Sequence, residues 1–153
     1  MLDIALIWDA AAGEADMAMA GPDLQMDAGL KTAVVISLFT DRLAEVGDAI
    51  PDGSTDRRGF WGDMPIIASD QGGPPPDLTG SRLWLLDRAK QIPQTLRQAE
   101  IYAREALQWM LDDGVAGSVA ATASFPRLGW IELQIDIGQQ GSQQTFTVAW
   151  QNS

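Results

Sequence analysis

The hydrophobic period of the chain changes between its middle and its C-terminal part, and this change restricts the folds open to it. Apolar residues recur at helical spacing over about 93–112, and Gly114 stands just past that segment. After Trp130, from Ile131 to Ile137, apolar residues alternate with polar ones, as in a strand with one buried face. A long amphipathic helix followed by such a strand predicts an α+β fold.

The C-terminal strand has weaker neighbours on both sides. Residues 115–125 and 145–150 are predicted strands, and the turns between them are rich in glycine. Together the three strands predict an antiparallel meander. Its core face is predicted to carry four apolar side chains: Ile131, Leu133, Ile135 and Ile137.

Helices and a hairpin are predicted before this meander. Residues 3–9 and 15–20 predict an N-terminal hairpin, followed by a turn at Gly21-Pro22-Asp23. Asp27 is the predicted N-cap of a helix over about 28–39, although β-branched residues keep a strand open for 32–36. Ser81 is predicted to cap a short helix over about 81–91, and Pro93 suits the first turn of the helix over 93–112.

The segment from about 41 to 79 separates these helices and is rich in glycine, proline and aspartate. Pro74, Pro75 and Pro76 exclude a helix or a central strand there. Long loops of this kind often carry function. With 153 residues, the chain is predicted to form one domain containing this irregular loop.

Charge and missing residue types narrow the chemistry. The net charge of −11 disfavours nucleic acid and anionic membranes as partners, and it fits either a basic protein partner or simple solubility. Cysteine and histidine are absent, which excludes Ser-His and Cys-His catalysis and zinc sites built on these residues. No cofactor is indicated. Residues 1–9 lack the basic region of a signal peptide.

The tract from Asp56 to Asp63 is the most distinctive local feature of the sequence. It packs two arginines, two aspartates, two aromatic residues and two glycines into eight positions. Its candidate interface residues are Asp56, Arg57, Arg58, Phe60, Trp61 and Asp63. Arginine and tryptophan are enriched at interface hot spots, and arginine forms two-pronged bonds with carboxylates. Two interpretations stay open: a contact with another protein, or a loop tied to its own domain.

The acidic residues suggest two further hypotheses. Asp112 and Asp113 end the long helix against its dipole, which an exposed and screened helix end tolerates; contact with a basic partner is the alternative that makes them further interface candidates. Glu100 or Glu105 with one of these aspartates gives an alternative, a carboxylate-dependent peptidoglycan hydrolase. This spacing arises easily by chance, so a solvated polar face is favoured. The helix arginines, Arg82, Arg88, Arg97 and Arg104, are likewise predicted to be solvated, and most of the six tryptophans to fill the core.

Five segments in matching order resemble the Mu-type phage baseplate wedge protein family of Mu-like phages and prophages. They are Ile4–Asp9, Ala33–Asp41, Asp56–Asp63, Gly80–Leu86 and Tyr102–Trp109. The family is distantly similar to the T4-type wedge proteins that help to start sheath assembly, a group also labelled lysozyme-like. The Glu-Pro-Arg motif of that wider group is missing here, where Leu111-Asp112-Asp113 stands instead.

The resemblance implies a non-enzymatic structural subunit of a contractile tail. The expected partners are other baseplate wedge proteins and sheath or tube subunits, with several copies in a symmetric assembly and with neither nucleic acid nor membrane. A sheet edge that accepts a neighbour's strand is the implied mode of contact. The implied location is the virion tail baseplate, after assembly in the bacterial cytoplasm. A component of a related contractile injection system is a further alternative.

Overall fold

The computed structural model describes residues 5–9, 14–18, 26–63 and 78–152, and within them the side chains from residue 29 onward. The described elements are two antiparallel sheets, two α-helices and two short 3₁₀ helices. The strands β1 (Ala5–Asp9) and β2 (Glu14–Ala18) form the predicted N-terminal hairpin. The turn predicted at residues 21–23 lies outside the described residues.

The first helix, α1, spans Met26–Phe39. It begins before the predicted start, so Asp27 lies in its first turn and is not the N-cap. A carboxylate is favourable there as well, because the first turn of a helix has positive character. Val34 and Leu38 are buried, whereas Ile36 is about half exposed, so α1 is buried on one side and not all round.

The short helix predicted over 81–91 is a 3₁₀ helix of five residues, Arg82–Leu86. Ser81 caps it as predicted, because its Oγ accepts the N–H of Leu83 at 3.3 Å. The helix ends early because the next residue, Asp87, takes a ψ of 129°, outside the helical range, and Arg88 follows with a φ of 64°. The prediction was therefore right about the start of this element and wrong about its type and length.

The long helix, α2, spans Pro93–Asp112 with Pro93 in its first turn, as predicted. Gly114 follows with a φ of 73°, the left-handed conformation that commonly ends helices. One face of α2 is buried along its length through Ala99, Ala103, Ala106, Leu107 and Met110. This is the stripe that the sequence predicted.

The C-terminal sheet has the order β3-β4-β5 and is antiparallel throughout. Its strands are β3 (Ser118–Ser124), β4 (Trp130–Gln139) and β5 (Ser142–Gln151). The four apolar side chains predicted for the core face of β4 are all fully buried. They pack with α1 and α2 in one hydrophobic core. The α+β class is confirmed.

Candidate interface surfaces

The two arginines of the tract at 56–63 bind other parts of the chain. The Arg57 side chain donates through Nε to the carbonyl oxygen of Ala44 at 2.8 Å and also through Nη2. The backbone closes the same contact, since the N–H of Ala44 donates to the carbonyl of Arg57 at 2.9 Å. Arg57 therefore fixes the tract against residues at the start of the long loop.

Arg58, the next residue, makes a second contact between the tract and the rest of the chain. Its Nη1 contacts the Asp41 carboxylate at 2.7 Å, and its guanidinium stacks on Trp84 at 4.5 Å from the ring centroid. The hydrogen bond that Arg58 donates to Asp41 raises the pKa of Arg58 above its ordinary value. Asp56 accepts the backbone N–H of Arg58 at 2.9 Å, which supports a φ of 53° at this arginine.

Asp63 and Trp61 have opposite environments although they are two residues apart. Asp63 is buried, and its carboxylate accepts the N–H of Thr79 at 2.7 Å and the Thr79 hydroxyl at 2.9 Å. Trp61 is 80% exposed and touches Phe60 with ring centroids 5.4 Å apart. The tract thus combines anchored charged residues with a projecting indole.

Next to these contacts, the backbone of residues 40–42 is hydrogen-bonded to the backbone of Ser81. The N–H of Ser81 donates to the Thr40 carbonyl at 2.9 Å, and the N–H of Arg42 donates to the Ser81 carbonyl at 3.0 Å. Gly80 has a φ of 96°, and a Cβ there would lie 2.3 Å from the carbonyl oxygen of Thr40. Glycine is required at this crossing because the two backbones are too close for a side chain.

Arg82 is the centre of an ionic cluster beside the tract. It is 11% exposed in its side chain and binds Glu105 and Asp48, with Glu45 at 3.5 Å. Arg42 binds Glu105 from another side at 3.2 Å. Burial alone lowers the pKa of Arg82, but the hydrogen bonds that Arg82 donates to Glu105 and Asp48 raise it well above its ordinary value. The prediction that Arg82 lies on a solvated face was wrong, because its partners come from distant parts of the chain.

The remaining acidic candidates are placed differently from one another. Asp112 and Asp113 are exposed at the end of α2, and Asp112 accepts a bond from Gln108 at 3.1 Å. Glu100 accepts the backbone N–H of Ala123 in β3 at 2.9 Å. In the described part of the chain, acidic side chains form no group suited to a metal ion.

Comparison with known proteins identifies the family. The model of the phage protein GP46 family matches residues 30–144.

The chain belongs to the GP46 family of phage proteins.

Two GP46 proteins are similar over most of their length. The baseplate protein gp46 of Escherichia phage Mu is 45% identical over 139 residues, which cover 88% of this chain and 86% of the Mu protein. The Mu-like prophage FluMu protein gp46 of Haemophilus influenzae is 40% identical over 153 residues, covering 98% of both chains. The resemblance drawn from the five sequence segments is confirmed at the level of the family.

The GP46 match includes the whole tract at 56–63 and the residues that tie it down. Sequence reasoning missed the part played by Arg42, Asp48 and Arg82 in this region. No local signal marks them, since Arg82 and its partner Glu105 are 23 positions apart. Among the described residues no helix has the length and apolar character needed to cross a bilayer.

Proposed function

We propose that this chain is a non-enzymatic subunit of a contractile phage tail baseplate, and that it joins neighbouring wedge and sheath or tube proteins. The family supports the baseplate role, because the relative from phage Mu is named a baseplate protein. The structural observation that carries the mode of assembly is the outer edge of β5. That edge is ten residues long and contains neither a charged residue nor proline.

The direction of the backbone groups in the sheet follows from two hydrogen bonds. The N–H of Ala123 donates to Glu100, so it points away from β4, and its register partner Leu133 points its own N–H and carbonyl toward β5. Val148, which faces Leu133, is therefore the residue that pairs with it. The bond from the N–H of Asn152 to the carbonyl of Gly129 follows the same alternation.

The residues next to Val148 consequently turn their backbone groups outward. The outward set on β5 is Gln143, Thr145, Thr147, Ala149 and Gln151, and no other described strand pairs with it. A row of free donors and acceptors of this kind is a template for a further strand. Natural monomers usually protect such an edge with charge, proline or a bulge.

The opposite edge of the sheet is less suited to this role. β3 has seven residues, and the Glu100 carboxylate already binds the N–H of Ala123. Helix α2 lies against β3, which brings Glu100 close to that edge. We therefore assign the neighbour's strand to β5.

A proline substitution tests this assignment. Thr147→Pro removes an N–H that points outward, and edge strands tolerate proline when that N–H faces solvent. The isolated variant should keep its fold, whereas its recovery in purified tails should fall at least tenfold. Thr147→Val is the matched control, because it keeps the N–H and should assemble normally. Normal recovery of a folded Thr147→Pro protein in tails would rule out the β5 edge as the contact.

The alternative of a carboxylate-dependent peptidoglycan hydrolase receives less support from the geometry. Glu105 is paired with both Arg42 and Arg82, and Glu100 is bound to the backbone of β3. Neither is presented as an open acid. A peptidoglycan digestion assay separates the two functions. Activity that disappears in both Glu105→Gln and Asp112→Asn would overturn the structural proposal.

A further inference from the structure

The lead-in to α2 and the turn between β3 and β4 are joined at one end of the molecule. Asn152, which is buried, donates through Nδ2 to the carbonyl of Ala89 at 3.1 Å and through its backbone N–H to that of Gly129 at 2.7 Å. Gln91 adds a longer bond to the carbonyl of Arg127 at 3.4 Å. We call the surface formed by residues 88–92 and 127–129 the basic end.

A leucine projects from the basic end on a fixed turn. The N–H of Trp130 donates to the carbonyl of Arg127 at 3.1 Å, and Gly129 has a φ of 80°, as in a type II turn. Leu128 therefore takes the first corner of this turn and is 91% exposed. Because the turn is held by the bonds to Gln91 and Asn152, little conformational freedom is left to lose on binding.

The cations around this leucine differ from the rest of a strongly acidic chain. Arg88, Lys90 and Arg127 are exposed, and none of them forms an ion pair with another described residue. Residues 88–93 and 125–130 contain no acid, although the whole chain carries a net charge of −11. The Arg127 guanidinium is held over the Trp130 ring at 4.1 Å. The nearest acid along the chain, Asp87, is partly buried and is attracted to Arg58 as well as to Arg88, so it is shared between the two arginines.

We propose that the basic end is a second docking surface, which receives an acidic segment of a neighbouring tail protein, with Leu128 entering an apolar pocket beside that segment. Charge complementarity selects this partner, because three exposed cations that form no ion pair with another described residue lie at the same end of the molecule as an exposed apolar anchor. A second copy of this chain meeting the same surface is the outcome to be distinguished from it. The inference rests on the proposed baseplate role, and it adds a contact that the β5 edge does not supply.

Site-specific crosslinking tests the proposal in the assembled tail. A benzophenone amino acid is placed at position 128 of the full chain in cells that assemble tails, and the crosslinked peptide is read by mass spectrometry. We expect a peptide of another tail protein with net negative charge. Val46 is a matched control position, because it is 92% exposed and lies away from the basic end in the sequence. No crosslink to that peptide is expected from position 46.

Charge reversal gives an independent reading. The double variant K90E/R127E should remain folded, with only a small loss of stability from the missing contact between Arg127 and Trp130, but should be recovered in tails at least tenfold less. Arg104→Glu, which reverses an exposed cation on α2, should leave recovery unchanged. Reversing the acids of the crosslinked peptide to lysine should restore recovery of the double variant.

Several results would overturn the inference. These are a crosslink to a second copy of the chain, a crosslink to a segment without net negative charge, no crosslink from position 128 in complete tails, or normal recovery of a folded K90E/R127E protein. Absence of the unsubstituted chain from purified tails would instead refute the proposed function itself, so the two failures can be told apart.

Discussion

Arg82 and Glu105 form a two-pronged ion pair in which Nε donates to Oε1 at 3.0 Å and Nη2 donates to Oε2 at 2.5 Å. The pair joins the 3₁₀ helix at 82–86 to the middle of α2, and Tyr102 lies under the guanidinium at 4.8 Å. Burial raises the pKa of Tyr102, and the nearby Asp48 adds to this. The ion pair with Glu105 and the contact with the Tyr102 ring therefore both depend on the position of the Arg82 guanidinium.

Glu105→Gln should lower the free energy of unfolding by about 2 kcal/mol. The substitution removes the carboxylate that pairs with both Arg82 and Arg42, and leaves these partly buried guanidinium groups with less negative charge nearby. Urea denaturation measures the change. Glu132→Gln is the control, since Glu132 makes no ion pair with another described residue. Equal effects of the two substitutions would mean that the pair adds nothing specific.

Gly80→Ala should cost about 2 kcal/mol or more, because the new Cβ meets the Thr40 carbonyl and the backbone conformation is strained. Gly53→Ala separates these causes. Gly53 has a φ of 71° but nothing within 4 Å of an added Cβ. The control should therefore cost only about 1 kcal/mol, from strain alone. Thermal or urea unfolding of both variants compares the two costs, and equal costs would show that the backbones at residues 40 and 80 are farther apart in solution.

Asp87→Asn should stabilise the protein at neutral pH. Burial raises the pKa of Asp87 above its ordinary value of 3.8, with Arg58 acting in the opposite direction. A carboxyl whose pKa is raised by folding stabilises the native state fully only when the pH is below its pKa in the unfolded chain. This stabilisation is lost as the pH rises through its pKa in the folded protein. The melting temperature of Asp87→Asn should therefore exceed that of the unsubstituted protein at pH 7, and the difference should shrink toward pH 3. A constant difference would assign the effect to something other than ionisation.

Trp61→Ala should leave the stability of the isolated protein within about 0.5 kcal/mol, because the indole is exposed. Trp84→Ala, at a buried tryptophan that donates to the Arg42 carbonyl at 2.8 Å, should cost about 3 kcal/mol or more. If the tract contacts a neighbour, Trp61→Ala should nevertheless lower incorporation into tails. Calorimetry with a count of the subunit in purified tails measures both quantities. Normal incorporation would leave the tract with its internal role alone.

The elements that could be predicted from the sequence are those with a strong period. In α2 and β4 the buried positions follow from spacing alone, because one face of each element meets the core. The 3₁₀ helix at 82–86 was predicted too long, since its end depends on the backbone angles of Asp87 and Arg88 and not on a glycine or proline. Loop residues 64–77, which the sequence marks as irregular, lie outside the described residues.

The candidate site was only partly predictable for a different reason. Composition singled out the tract at 56–63, but it could not separate Arg57, whose partner is the Ala44 backbone, from Trp61, which projects outward. Contacts between residues far apart in the chain leave no local pattern. The sequence also does not show that the backbone groups of Thr147 in β5 point outward. Their direction depends on which residues of β4 bond to β3 and which bond to β5.

The uncharged edge of β5 has a consequence for the subunit before assembly. Two free copies can join edge to edge, which is the usual start of aggregation in sheet proteins. The net charge of −11 opposes such encounters, but at physiological ionic strength this repulsion is screened beyond about 8 Å. Added salt, or a pH near the isoelectric point of about 4.1, should therefore make the free subunit precipitate, and occupation of the edge by its partner should keep it in solution.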